Sequence, residues 1–272
     1  MFSKPFRDFE HDGWERVAGK YEGAWSALTK QFIDPLLTAA NLLPGMRVLD
    51  VACGPGYVAS AAKARGADVV GIDFAREMVI QATKKNPGIR FFEGDAEQLD
   101  FRDGDFDRVL MNFGVLHFAH PEKAFAEAGR VLRPGGRLGF TVWARPEQNP
   151  GIKIMSDSIE KYADMNIALP EGPPVFRFSD PTECANALKT SAFLPETITI
   201  NLIRVRWLVP TADHFFVAER DAGVRTAGLL AAQSPERLSA IRSAVAKAVQ
   251  SYSTSGGFAI PMAGHIVTAK VQ

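Results

Sequence analysis

The sequence predicts an α/β protein built on a doubly wound, mostly parallel sheet with helices on both faces and a helical insertion near the C-terminus. Three observations carry this. Between residues 47 and 144, short apolar runs with strand character alternate with helical patterns, as parallel sheets with crossover helices require. A glycine-rich turn, Cys53-Gly54-Pro55-Gly56, follows the first of these runs. Beyond residue 145 the rhythm changes: a long Thr/Ile/Val-rich stretch and a C-terminal strand bracket a helical segment.

Residues 13–40 read as helical, because Trp14, Val17, Ala18, Tyr21 and Trp25 recur at spacings of three and four and share a face. Pro44-Gly45 breaks that pattern. Strands follow at 47–51, 67–72, 89–93 and 107–112, with helices near 56–65 and 75–85 between them. His120-Pro121-Glu122 opens a further helix with proline at its first position. Pro134-Gly135-Gly136 is expected to end it, and 137–144 is the fifth strand. Asp180-Pro181-Thr182-Glu183 has the form of a capping box. Residues 197–209 read as a long strand, and two or three helices fit between 211 and 251. Ser234-Pro235-Glu236 caps the last of them, with Leu238, Ile241, Val245 and Val249 as its apolar stripe. The seventh strand covers 262–271.

Composition narrows the function. The 272 residues carry 31 basic and 31 acidic side chains, a net charge of zero, and are 46% hydrophobic. That excludes a disordered chain and argues against a polyanionic partner such as nucleic acid. Cys53 and Cys184 are too few for a disulfide framework and lack metal-ligand spacing, so no metal is expected. Charges interrupt the N-terminal stretch, and no apolar run approaches the ~18 residues of a membrane span. The expectation is a cytoplasmic protein.

The glycine turn lies where a strand gives way to a helix, the crevice position at which open α/β sheets bind ligands. Gly54 and Gly56 permit a sharp turn and close approach of a ligand to the backbone. With Ala59 they make a G-x-G-x-x-A pattern, and Asp73 ends the next strand, where a carboxylate can bind ribose hydroxyls. To this point a nicotinamide dinucleotide fits equally well. Two more acids shift the balance. Asp50, beside the turn, would repel a diphosphate and favour an ammonium group. Asp95, after the third strand, can accept from an exocyclic adenine amine. Together the three acids describe S-adenosylmethionine, which has no phosphate and carries a sulfonium cation.

From Trp14 to Trp143 the segments VLDVACGPG, VVGIDFA followed by Met78, FFEGDAEQL, FDRVLMNFGVLHF and RVLRPGGRLGFTVW occur in order. In these the chain resembles class I S-adenosylmethionine-dependent methyltransferases of the small-molecule, type 11-like group. The resemblance implies a Rossmann-like seven-stranded sheet, mostly parallel, with an antiparallel strand near the C-terminus. It also implies a single domain over 1–272. Within it, 1–45 form a helical lid, 46–145 the cofactor-binding core, 146–257 a substrate cap including the sixth strand, and 258–272 the final strand.

Carried over by position, Gly54 and Gly56 face the methionine part of the cofactor, with Asp50 near its ammonium. Asp73 holds the ribose, Phe74 and Met78 lie near the adenine, and Asp95 and Ala96 meet the adenine edge. Asn112 and Val115 lie beneath the cofactor, and Tyr21 resembles the residue that closes over the methyl donor. The family commonly has glycine where this chain has Ala52; alanine is the smallest replacement and is expected to admit the same backbone contact.

Each assignment has a plainer rival: an aspartate at a strand end caps the next helix, and Met78 at helical spacing packs a core. For chemistry, the sulfonium is already activated, so alignment and exclusion of water are the main demands. His117 is the best-placed base, ahead of His120 and His265. No N-P-P-Y-like segment follows the fourth strand and no cysteine lies there, which argues against nucleic-acid methylation. Trp143, Phe176, Phe178 and Trp207 are candidates to wall a hydrophobic acceptor pocket, and Arg177 to meet an anionic group. The expected activity is methyl transfer to a small hydrophobic or aromatic acceptor by a monomer or homodimer, leaving S-adenosylhomocysteine. A NAD(P)-dependent oxidoreductase and a non-catalytic S-adenosylmethionine-binding protein are the alternatives.

Overall fold

A computed structural model describes residues 5–272. Its strands are β1 (Arg47–Val51), β2 (Asp68–Asp73), β3 (Arg90–Glu93), β4 (Phe106–Asn112), β5 (Leu132–Trp143), β6 (Thr199–Val209), β7 (Ser253–Thr254) and β8 (Gly257–Lys270). They form one sheet in the order β3-β2-β1-β4-β5-β8-β6, with the two-residue β7 paired to the start of β8. The first five strands pair in parallel, and β8 lies antiparallel to β5. The order reverses between β1 and β4, and that switch point opens a crevice at the strands' carboxyl ends.

The helices are α1 (Phe6–Val17), α2 (Tyr21–Ala24), α3 (Ser26–Thr29), α4 (Ile33–Ala39), α5 (Tyr57–Ala64), α6 (Arg76–Lys85), α7 (Pro121–Val131), α8 (Pro150–Tyr162), α9 (Pro181–Lys189), α10 (His214–Ala222), α11 (Arg225–Ala231) and α12 (Pro235–Val249). Asp180 and Ser234 cap α9 and α12 as the sequence predicts, accepting from the backbone N–H of Thr182 and Arg237 respectively.

The chain divides into two compact units. One comprises Thr29–Trp143, Gly172–Ile203 and Gly264–Gln272. On one face of its sheet Val109, Met111, Phe140, Val142 and Val267 pack with Phe125 and Ala128 of α7. On the other, Val48, Leu110 and Ile266 pack with Leu36, Leu37 and Ala40 and with Ala59 and Ala62 of α5. Both faces are covered, the normal state of a parallel sheet.

The second unit comprises the described part of Met1–Leu28 with Ala144–Glu171 and Arg204–Ala263. Residues 1–4 of the expected helical segment lie outside the described residues. Trp25 stacks on Trp207 at 5.2 Å, and Phe215 meets both edge-on. The indole N–H of Trp25 donates to the carbonyl of Ala222. Gly13 lets α1 press against Val224, where a β-carbon would come within 2.4 Å.

Three local expectations are corrected. Residues 13–40 are not one helix but parts of four, broken at Ala18–Lys20, at Trp25 and at Lys30–Phe32; Gly19, a poor helix former, lies at the first break. Helix α7 ends at Val131, before Pro134-Gly135-Gly136. Those residues form a bulge inside β5, where the register shifts between Phe106 and Arg108 and Gly135 takes φ +73°. Helix α8, capped by the Asn149 side chain, had no counterpart in the sequence expectation.

Candidate functional site

The glycine turn leaves β1 through three left-handed residues, Ala52 (φ +52°), Gly54 (φ +50°) and Gly56 (φ +81°). The two glycines serve different ends. A β-carbon on Gly54 would meet nothing within 4 Å, so this backbone faces open space. One on Gly56 would lie 2.8 Å from the Asn86 amide and 2.9 Å from Phe91. Glycine at 56 is therefore demanded by packing beneath the turn as well as by its left-handed backbone. The same Phe91 ring fills the space over Gly71, at 2.5 Å from a β-carbon there.

Asp50 is 1% exposed, and its Oδ2 accepts from the Ala59 N–H at 2.9 Å. Its Oδ1 is buried with no partner. Burial, with a smaller push from the Asp73 charge, raises the carboxyl to about 8 against the opposing Ala59 hydrogen bond. Asp73 accepts from Gly54 N–H at 2.8 Å and Ala75 N–H at 2.9 Å, tying the glycine turn to the start of α6. Asp95 accepts from Glu97 N–H at 2.9 Å. Helix- and turn-capping is thus real for each acid. A carboxylate has about four acceptor positions, and Asp50 Oδ1 uses none of its own.

The end of β4 lies beside the same turn. Asn112 donates through its amide nitrogen to the carbonyl of Thr29, while its Oδ1 is buried and unpartnered. Phe113 follows with φ +60°, an outlier for a bulky side chain. Sequence reasoning passed over it, since a Phe-Gly pair after a strand carries no signal for backbone conformation. Its ring stacks on Trp143 at 4.0 Å, and Phe32 meets both edge-on.

The remaining expected site residues separate into groups. Val115, Met78 and Ala96 are buried; Val115 packs in the core beside Phe125, so its side chain is filling space. Phe74 is half-buried after β2, and His117 half-buried in the turn after β4. His120 is exposed, its N–H donating to Glu97 ahead of α7. His265 is buried on β8 with neither ring nitrogen paired, and burial holds its pKa down.

Phe178 packs in the core on Phe125 at 5.3 Å, whereas Phe176 is half-buried. Arg177 already pairs with Glu122 at 2.6 Å and Glu183 at 3.4 Å, which neutralises the charge expected to meet an anion. Trp207 and Tyr21 belong to the other unit. There Trp207 is 1% exposed, a core residue rather than a pocket wall, and Tyr21 sets its ring edge against Trp14 at 6.1 Å.

Among the described residues no helix is long and apolar enough to cross a membrane. Residues 49–140 match a family model described as a methyltransferase domain. A demethylmenaquinone methyltransferase of Renibacterium salmoninarum is 36% identical over 141 residues, covering 50% of this chain and 60% of that relative. The chain thus spans little more than half the length of this curated relative. Among solved structures, the [4+2]-cyclase SpnF aligns with a TM-score of 0.61 at 18% identity, covering 99% of this chain and 97% of that one. The phosphoethanolamine N-methyltransferase 2 of Haemonchus contortus, solved with phosphomonomethylethanolamine and S-adenosylhomocysteine, aligns at 0.57 and 17% identity, over 99% of this chain and 61% of that one. At such identities the structural likenesses show the fold alone. The sheet order and the glycine turn agree with that match: residues 49–140 are similar to a methyltransferase domain.

Proposed function

We propose that the protein transfers a methyl group from S-adenosylmethionine to a small hydrophobic or aromatic acceptor. The observation that carries this is the unpartnered Oδ1 of Asp50, a buried acid beside a turn whose Gly54 backbone faces open space. An uncompensated buried carboxyl is costly, and an ammonium brought to it removes that cost. A diphosphate gains no charge attraction from this carboxyl in either protonation state, which disfavours the dinucleotide alternative.

The residues present fit the cofactor. Asp50 would take its ammonium, Asp73 the ribose hydroxyls, and Asp95 the adenine amine. When bound, S-adenosylmethionine supplies a sulfonium-activated methyl carbon, so in-line displacement needs no further activation. The protein's part is to align the acceptor and exclude water. His117, on the turn after β4, would hold a proton from an acceptor that must lose one. The name of the Renibacterium relative supports an aromatic acceptor. The second reading is cofactor binding without methyl transfer, since a fold does not by itself fix an activity.

Incubation with methyl-labelled S-adenosylmethionine and a panel of phenols, hydroquinones and amines tests the proposal. Label is expected in an aromatic acceptor, and Asp73→Ala and Asp95→Ala are expected to bind S-adenosylhomocysteine about tenfold more weakly or worse. Binding of NAD(H) with none of S-adenosylhomocysteine would reverse the assignment. Cofactor binding with no label transferred to any acceptor would favour the second reading.

A further inference from the structure

We infer that Trp143, backed by Phe113, is the seat of the acceptor, and that it selects a flat aromatic ring bearing an oxygen that can accept a hydrogen bond. The inference deepens the methyl-transfer proposal and rests on it.

The argument begins with backbone strain. A phenylalanine at φ +60° costs of order 1 kcal/mol or more and persists only where its surroundings fix it. Here the Phe113 N–H donates to the Thr141 carbonyl at 3.2 Å. The next residue, Gly114, has no side chain to collide with the Ala52 methyl. The left-handed residue stops β4 from continuing as a strand and lays the ring against Trp143, 4.0 Å away and tilted 27°.

Phe32, fully buried, completes the backing: its ring stands edge-on to Phe113 at 5.0 Å and to Trp143 at 5.9 Å. Opposite Trp143 on β8, Gly264 leaves the room Phe32 needs, since a β-carbon there would lie 2.9 Å from its ring. The Ser179 hydroxyl donates to the Trp143 carbonyl, which anchors the main chain. The indole is therefore held on three sides by groups that do not themselves need it for catalysis.

What remains is a half-buried indole at the carboxyl end of β5. Its N–H donates to no described residue. The nitrogen is not among the buried unpartnered atoms, so a ligand oxygen can take the place of water there. An aromatic face beside a free N–H matches an aryl ring with a hydroxyl or carbonyl oxygen, the ring stacking while the oxygen accepts. An aliphatic alcohol can offer the oxygen but not the stacked ring. The seat lies one strand from Asn112 and two from Asp50, at the same end of the sheet.

The test uses the full chain and 1-naphthol as the probe, with cyclohexanol as control and S-adenosylhomocysteine binding measured in parallel by calorimetry. Trp143→Phe keeps the stack and deletes the N–H; Trp143→Leu removes both; Phe113→Gly removes the backing ring while suiting the backbone. Each is expected to weaken 1-naphthol binding by about threefold to tenfold, the worth of one hydrogen bond or one aromatic contact. Binding of S-adenosylhomocysteine is expected to stay within about twofold of the parent in Trp143→Phe and Trp143→Leu, which change a strand two removed from Asp50. Equal naphthol affinity in the parent, Trp143→Phe and Trp143→Leu overturns the inference, as does cyclohexanol binding as tightly as naphthol. Failure of the parent to bind S-adenosylhomocysteine overturns the methyl-transfer proposal instead, and with it the assignment of this seat to an acceptor.

Discussion

The methyl group of Ala52 occupies the space that any side chain at Gly114 would need: a β-carbon on Gly114 would lie 2.6 Å from the β-carbon of Ala52. Ala52 itself is left-handed at φ +52°, the backbone state for which glycine is the natural occupant. The chain has thus moved the missing glycine rather than lost it. Residue 52 carries a methyl, and residue 114 makes way for it.

A double-mutant cycle reads this exchange directly. Gly114→Ala alone is expected to destabilise by about 1–3 kcal/mol, the usual cost of overpacking. Ala52→Gly alone is expected to be nearly neutral, since relief of the left-handed strain offsets the added freedom of the unfolded chain. In the double variant most of the Gly114→Ala loss is expected to vanish, a coupling of about 1 kcal/mol or more and a recovery of roughly 2–4 °C in Tm. Additive effects in thermal unfolding would show that the two positions do not compete for space.

Cofactor binding is expected to release a proton from Asp50. Burial raises its carboxyl to about 8 in the free protein, so the acid is largely protonated at neutral pH. An ammonium at the unpartnered Oδ1 favours the ionised form. Affinity for S-adenosylhomocysteine therefore rises as pH increases from 6 towards 8, and falls again at higher pH where the ligand's own ammonium loses its proton. Calorimetry at pH 6.5 in buffers of different ionisation enthalpy is expected to count about one proton released. In Asp50→Asn the release disappears. The same shift acts on stability: a raised folded-state pKa means that Asp50 stabilises the free protein below its unfolded pKa and ceases to as pH climbs through about 8.

Arg130 controls the loop that carries Asp95. Its Nε donates to Glu127, one terminal nitrogen to the Phe101 carbonyl and Asp103, and the other to the Leu99 carbonyl and Glu127, at 2.7–2.8 Å. All five guanidinium N–H groups are used. The Leu99 N–H returns a bond to Glu127. Arg130→Lys cannot reproduce this fork, so it is expected to loosen the loop without touching ligand. Binding of adenosine and of S-adenosylhomocysteine is expected to weaken by about threefold to tenfold in parallel, while binding of methionine alone stays unchanged. Equal loss for methionine would point to a global effect of the substitution.

The central sheet was legible because its signals are local and repeated. Asp50, Asp73 and Asp95 each follow an apolar strand, and Pro121, Pro181 and Pro235 each open a helix. What stayed hidden depends on contacts distant in sequence. Nothing at Gly56 says that Phe91 will lie beneath it, and nothing at Phe113 says that Trp143 will hold it left-handed. Trp207 and Phe178 share the composition of a pocket wall, and only the fold shows that Trp25 and Phe125 already cover them. Arg177 was readable as a cation, but its two glutamate partners were not. Periodicity in 13–40 failed where breaks, the first at Gly19, interrupt the helix that the apolar spacing implied.

The second compact unit depends on an ion pair whose removal should be sensitive to pH. Glu10 is fully buried, and Arg225 meets its Oε1 at 2.8 Å while lying over the Phe6 ring at 4.3 Å. Breaking a buried pair by removing one partner costs about 3–5 kcal/mol, because the other charge is left in an apolar site. Arg225→Met keeps much of the packing and removes the cation, so Glu10 should then titrate with a raised pKa. A raised folded-state pKa stabilises below the unfolded value and is lost as pH rises through the folded one. The Tm deficit of Arg225→Met relative to the parent is therefore expected to be small at pH 4.5 and to grow towards pH 8. Adding Glu10→Gln should flatten that dependence, since the amide fills the same volume without a proton to lose. A deficit equal at both pH values would locate the role of Arg225 in its contact with Phe6 rather than in its charge.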